Sequence, residues 1–161
     1  MISFLTILVV AVLTGLDQLF KYWVDLYLKP VGTKMLIPGV LQLHYVENNG
    51  AMMGMLQGKT VLLGIFAALL VLALVYVIFS KKIQSRILYC AFVAVLSGGL
   101  GNIIDRFFRG FVIDYIEVLF VRFYVFNFAD SLITVGAFTI LIYELVMILR
   151  EQKRKKASGN G

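Results

Sequence analysis

The chain has one cysteine, Cys90, one histidine, His44, and two prolines in 161 residues. A single cysteine excludes an intramolecular disulfide and a cysteine-based zinc site. A lone histidine argues against a His-rich metal site, and no cofactor is expected. Charged residues are scarce as well, at 15%, against about 25% in a soluble domain. Apolar residues take their place, at 61% against roughly 45–50%. The excess comes in blocks, which predicts a multi-spanning membrane protein. The length predicts one domain, 1–161, with no room for a soluble module. The net charge is +6. Much of it follows the last apolar run, so an anionic lipid surface is the expected partner and nucleic acid is not.

The apolar blocks predict an all-α membrane protein, a bundle of four transmembrane helices. The expected spans are 2–23, 61–79, 87–105 and 131–149. The first lacks a basic leading segment and an A-x-A cleavage signal, so it reads as a retained span. Asp17 and Lys21 lie four apart within it, on one helical face. They read as an ion pair at the membrane border, as part of a site, or as both. Val61 to Phe79 carries no charge and reaches about 28 Å as a helix. The third span contains Ala94-x-x-x-Gly98 and Ser97-x-x-x-Gly101, spacings that let another backbone approach closely. Cys90 reads as a small packing residue.

Between spans one and two, Pro30, Gly32, Pro38 and Gly39 break helix repeatedly. Val40 to Val46 alternates and is β-rich, which predicts a small β-containing region there. His44 reads as a strand residue only. Asn49-Gly50 predicts a tight turn. Met52, Met53 and Met55 form a soft apolar patch. Residues 150–161 are basic, then small and polar, and read as a disordered tail.

Charge sets the expected orientation. Lys81, Lys82 and Arg86 lie between spans two and three, and Arg150, Lys153, Arg154, Lys155 and Lys156 follow span four. Both groups fall on one side of a four-span chain. The positive-inside rule makes that side cytoplasmic, with both termini there. Of the nine acids, only Glu144 and Glu151 lie toward it.

The remaining acids gather at the other border, chiefly between Gly101 and Asp130. Asn102, Asp105 and Arg106 can share one face at the end of span three; helix-end capping would also explain them. Asp114 is flanked by Val112, Ile113, Tyr115 and Ile116, poor company for a solvated loop residue. Asn127 suits an N-cap, which places Asp130 at the third helical position, where a negative charge is favoured. Asp114 and Asp130 read as a carboxylate pair. The ionised member takes a proton from water and the protonated one polarises a carbonyl. Asp130 reads as the low-pKa member and Asp114 as the proton holder, with the reverse assignment open. A proton-coupled transporter or channel is the rival reading, since intramembrane acids also mark proton relays. Against it, the acids cluster at one border, and Glu144 lies about 21 Å along the helix from Asp130. A structural subunit without chemistry is the third.

In chain order stand Asp17-x-x-x-Lys21, Asn48-x-Gly50-Ala51, Gly101-Asn102-x-Ile104-Asp105-Arg106, Val112-x-Asp114 and Phe126-Asn127-x-Ala129-Asp130-Ser131. The set resembles the lipoprotein signal peptidases, the bacterial type II signal peptidases, across nearly the whole chain. The resemblance implies a membrane aspartic endopeptidase with Asp114 and Asp130 as its catalytic residues. Its substrate would be a prolipoprotein, cut just before a diacylglyceryl-modified cysteine on the extracytoplasmic side of the bacterial cell membrane. Asp17, Lys21, Asn48, Gly50, Asn102, Asp105, Arg106, Asn127 and Ala129 match the surrounding positions. After Asn-x-Gly-Ala the family usually has a small residue and then an aromatic, where this chain has Met52 and Met53.

Overall fold

A computed structural model describes residues 2–50, 58–80 and 82–159. Ala51, Met52, Met53, Met55 and Lys81 lie outside the described residues. Among the described residues, four helices are long and apolar enough to cross a membrane: α1 (Ile2–Tyr27), α2 (Thr60–Phe79), α3 (Arg86–Phe108) and α4 (Phe128–Ser158). Their outward faces carry large exposed apolar side chains, such as Leu62, Phe66, Leu69 and Leu141. In water that surface would be a liability; in lipid it needs no partner.

Helix α3 touches each of the other three helices and forms the centre of the bundle. Small residues allow this. A Cβ on Gly98 would strike the carbonyl of Ala129, and one on Gly136 would crowd Val95 and the Ala91 carbonyl. The α3–α4 backbones therefore approach as the Ala94–Gly98 and Ser97–Gly101 spacings predict. Between α2 and α3, Val71, Ile78, Val93 and Leu96 form an apolar core.

Three antiparallel strands, β1 (Thr33–Ile37), β2 (Leu41–Asn48) and β3 (Val112–Val118), form a sheet in the order β1-β2-β3. Pro38-Gly39-Val40 turns β1 into β2, with Gly39 at a φ of 70°. Ile113 and Tyr115 of β3 pack against Val24 in the last turn of α1 and Leu28 just past it. That core fixes the sheet on the bundle.

Three expectations change. The β region is not confined to the connection between spans one and two, because β3 comes from the connection between spans three and four. Asp114 thus sits on a strand paired with β2, opposite Val46. The segment after position 149 is helical through Ser158. Nothing in it breaks a helix before Gly159, and Glu151 pairs with Lys155 one turn on, at 3.0 Å. Helix α1 also runs on to Tyr27, one turn past the expected limit.

Gly98→Ala should lower stability by about 1–3 kcal/mol, the usual cost of overpacking. Gly15 has open space around its Cβ position, so Gly15→Ala should be neutral or gain up to about 1 kcal/mol. Unfolding of both variants in detergent checks this; equal midpoints would contradict the close α3–α4 contact.

Candidate active site

The predicted residues converge where α1, α3, α4 and the sheet meet. Lys21 is fully buried in α1. Its Nζ lies 2.8 Å from Asp17 Oδ2, 2.8 Å from Asp105 Oδ2 and 2.9 Å from Asn102 Oδ1. Three ammonium protons meet three acceptors. Asp17 and Asp105 are also fully buried. Asp17 Oδ1 accepts from the Ala129 backbone N–H at 3.0 Å, and Asp105 Oδ2 from the Ile113 N–H at 3.4 Å. The i,i+4 spacing of Asp17 and Lys21 makes the expected pair, and Asp105 joins it from α3. A side chain on Gly101 would collide with the Asp17 carboxylate.

Asn102 carries this cluster toward the candidate pair. Its Oδ1 accepts from Lys21 and, at 3.2 Å, from Asn127 Nδ2; its own Nδ2 donates to Asp130 Oδ1 at 2.7 Å. Asn127 is the N-cap of α4 and Asp130 closes a capping box with it. The Asp130 N–H donates to Asn127 Oδ1 at 2.9 Å, and the Asn127 N–H to Asp130 Oδ2 at 3.2 Å. Asn127 Nδ2 also donates to Asp114 Oδ1 at 2.6 Å. One buried asparagine therefore touches both carboxylates. Asn48, at the end of β2, donates to Asp114 Oδ2 at 2.9 Å, while its Oδ1 accepts from the Gly50 N–H at 3.0 Å. That second bond closes an Asx-turn over Asn48–Gly50, so the side chain of Asn48, and not the Asn49-Gly50 pair itself, bends the chain here.

Arg106 donates to the carbonyls of Asn102 and Gly50 at 3.2 and 3.4 Å. Its Nε is buried and has no hydrogen-bond partner among the described residues. Asn48, Gly50, Asn102, Arg106, Asp114 and Asp130 line one cavity of about 1210 Å³. Glu144 does not line it. His44 does more than fill a strand: its Nδ1 lies 2.8 Å from Glu117 Oε2 on β3.

Asp114 is 2% exposed. Burial, then the negative charge of Asp130, push its pKa from 3.8 up to about 7, against the pull of the Asn48 and Asn127 donors. A carboxyl that is neutral near pH 7 can donate a proton to a carbonyl oxygen. Sequence reasoning missed Gln18 and Arg109, which both contact Asp105. Arg109 stands four residues after Asp105, a spacing that could have found it. Gln18 is a polar break beside Asp17 in an apolar run.

The signal peptidase II family model matches residues 9–146. The lipoprotein signal peptidase of Clostridioides difficile is 40% identical over 143 residues, 88% of this chain and 95% of the relative. That of Enterococcus faecalis is 34% identical over 155 residues, 96% of this chain and 93% of the relative. A solved bacterial membrane enzyme, obtained by the in meso method, superposes with a TM-score of 0.79 at 34% identity and covers 87% of each chain.

The raised pKa of Asp114 has a stability consequence. Between pH 3.8 and about 7 the folded protein holds a proton that the unfolded chain has lost, so stability falls as pH rises through that window. Asp114→Asn removes this dependence. From pH 5 to pH 8 the stability of the variant should rise relative to wild type by on the order of 2 kcal/mol. Unfolding of both proteins across that range checks it; a constant difference would show that Asp114 titrates normally.

Proposed function

The chain belongs to the signal peptidase II family, and from that premise we propose an aspartic endopeptidase with Asp114 and Asp130 as its catalytic residues. The protein is a multi-pass bacterial membrane protein that removes signal peptides from prolipoproteins. Transport is not the favoured reading. The observation that carries the aspartic mechanism is Asn127, which hydrogen-bonds both carboxylates on the wall of one cavity.

In the proposed reaction the Asp130 carboxylate accepts a proton from a water molecule. The resulting hydroxide attacks the scissile carbonyl carbon while protonated Asp114 gives its proton to the carbonyl oxygen. A tetrahedral diol forms. Its collapse breaks the C–N bond, and the proton held by Asp130 passes to the departing amine. Asp114 recovers its proton from the diol, which restores the starting state. Arg106, Asn48 and Gly50 serve substrate binding or support the site, and the Arg106 Nε, which has no hydrogen-bond partner among the described residues, is a donor for a substrate carbonyl. Asp17, Lys21, Asn102, Asp105, Asn127 and Ala129 support the pair.

The finer parts of the reading concern substrate and membrane. The bond cut lies just before a diacylglyceryl-modified cysteine, whose acyl chains stay in lipid. Both termini face the cytoplasm, and the cavity faces the extracytoplasmic side. The charge pattern supports this: the basic helical extension at 150–156 suits an anionic inner leaflet, at about 1 kcal/mol per basic residue.

Asp114→Asn and Asp130→Asn should each lower turnover by at least about 10³, with the protein still folded. Cleavage of a lipidated prolipoprotein, followed by mass analysis, measures this. Retention of more than about a tenth of wild-type turnover by either variant would remove that residue from the mechanism. Orientation has its own test. In a Cys90→Ala background, Lys34→Cys should react with an impermeant thiol reagent from outside and Lys153→Cys only from the cytoplasm. The reverse pattern would move the cavity to the other face.

A further inference from the structure

Asp17 and Asp105 are both fully buried, and Lys21 brings one positive charge between them. A second comes from Arg109, just past the end of α3, whose Nη1 contacts Asp105 Oδ1. The same Nη1 donates to Gln18 Oε1 at 3.0 Å. Gln18 Nε2 in turn lies 3.2 Å from Asp17 Oδ2, 3.2 Å from Asp105 Oδ1 and 3.1 Å from the Gly101 carbonyl. Gln18 thus touches both carboxylates. On its other side it borders an apolar groove between α1, α2 and α3, so it closes the ionic cluster off from that groove.

The cluster acts on the candidate pair through one amide. Because Lys21 and Asn127 both donate to Asn102 Oδ1, Asn102 must present its NH₂ group to Asp130. Lys21 holds that amide while its other contacts, to Asp17 and Asp105, are equal at 2.8 Å. We propose that Gln18 and Arg109 are positioning residues for the reaction, acting through Asp105 and Lys21 on Asn102. The inference rests on the reading of Asp114 and Asp130 as the catalytic residues. Loss of Arg109 leaves Asp105 without its second cation and the buried cluster with a net negative charge. Lys21 is then drawn onto Asp105 and away from Asn102. Loss of the Gln18 amide removes a second donor, beside Lys21, that joins the two carboxylates, and it takes a partner from the Gly101 carbonyl.

The test measures kcat and KM per folded molecule on a lipidated prolipoprotein for Arg109→Met, Arg109→Lys and Gln18→Met, with Asp130→Asn alongside. Arg109→Met and Gln18→Met should lower kcat about tenfold to a hundredfold, the scale of remote misplacement. KM should stay within about twofold, since an effect made only in the transition state leaves ground-state binding alone. Arg109→Lys, which keeps the charge, should recover most of the loss. If Arg109→Met does not fold, Gln18→Met carries the test, because it changes no charge. The proposal is overturned if either folded variant keeps kcat near wild type while Asp130→Asn is inactive, or if Arg109→Lys is no better than Arg109→Met. An active Asp130→Asn would instead overturn the catalytic pair on which the proposal stands.

Discussion

The structure depends on a lysine ammonium held out of water. Lys21 is fully buried, and a buried charge costs several kcal/mol unless paired and hydrogen-bonded. Here every proton has an acceptor, and the acceptors come from two helices. Asp17 also ties α1 to the first turn of α4 through the Ala129 N–H, and Asp105 ties α3 to β3 through the Ile113 N–H. One ion therefore fixes four elements in a common frame. The frame has steric demands: Gly101 must lack a side chain beside Asp17, and the approach of α3 to the Ala129 backbone requires Gly98. Small residues and buried charges are two sides of one constraint.

That frame sets the surroundings of the two carboxylates. Asp130 sits in a capping box, where its backbone and side chain are both held by Asn127. Asp114 sits on β3, buried at the cavity wall, and receives two amide donors. The two carboxylates are therefore held differently, one by its own helix cap and one by amides from β2 and the start of α4. Each carboxylate reaches the buried cluster through asparagine. An asparagine amide donates on one side and accepts on the other, so it passes on orientation without adding charge.

Local signals in the sequence survived into the structure. Asp17 and Lys21 pair because i,i+4 residues share a helical face, and Asn127 and Asp130 cap because their spacing fits the first turn. The small residues of α3 mark its close contact with α4. What failed was non-local or masked. Asp105 already reads as a site position in the sequence, but its contact with Lys21 spans more than eighty residues, and no spacing rule reaches that far. Strand β3 was hidden because Val112, Ile113, Asp114 and Tyr115 are all buried; without a solvent-facing side the alternation that marks a strand vanishes. The basic segment after position 149 read as disordered on composition, yet a helix already nucleated in an apolar span extends cheaply through it to Ser158. His44 read as an inert strand residue because Glu117, its partner, arrives from another part of the chain.

The central claim is that Asp114 and Asp130 act as one unit. The most direct measurement is the turnover of the Asp114→Asn/Asp130→Asn double variant beside each single variant, per folded molecule. If the two carboxylates serve one proton-transfer step, the double variant is scarcely slower than the slower single one, within about a factor of ten. If their losses multiply instead, so that the double variant falls by the product of the two single effects, the carboxylates act independently and the account is wrong.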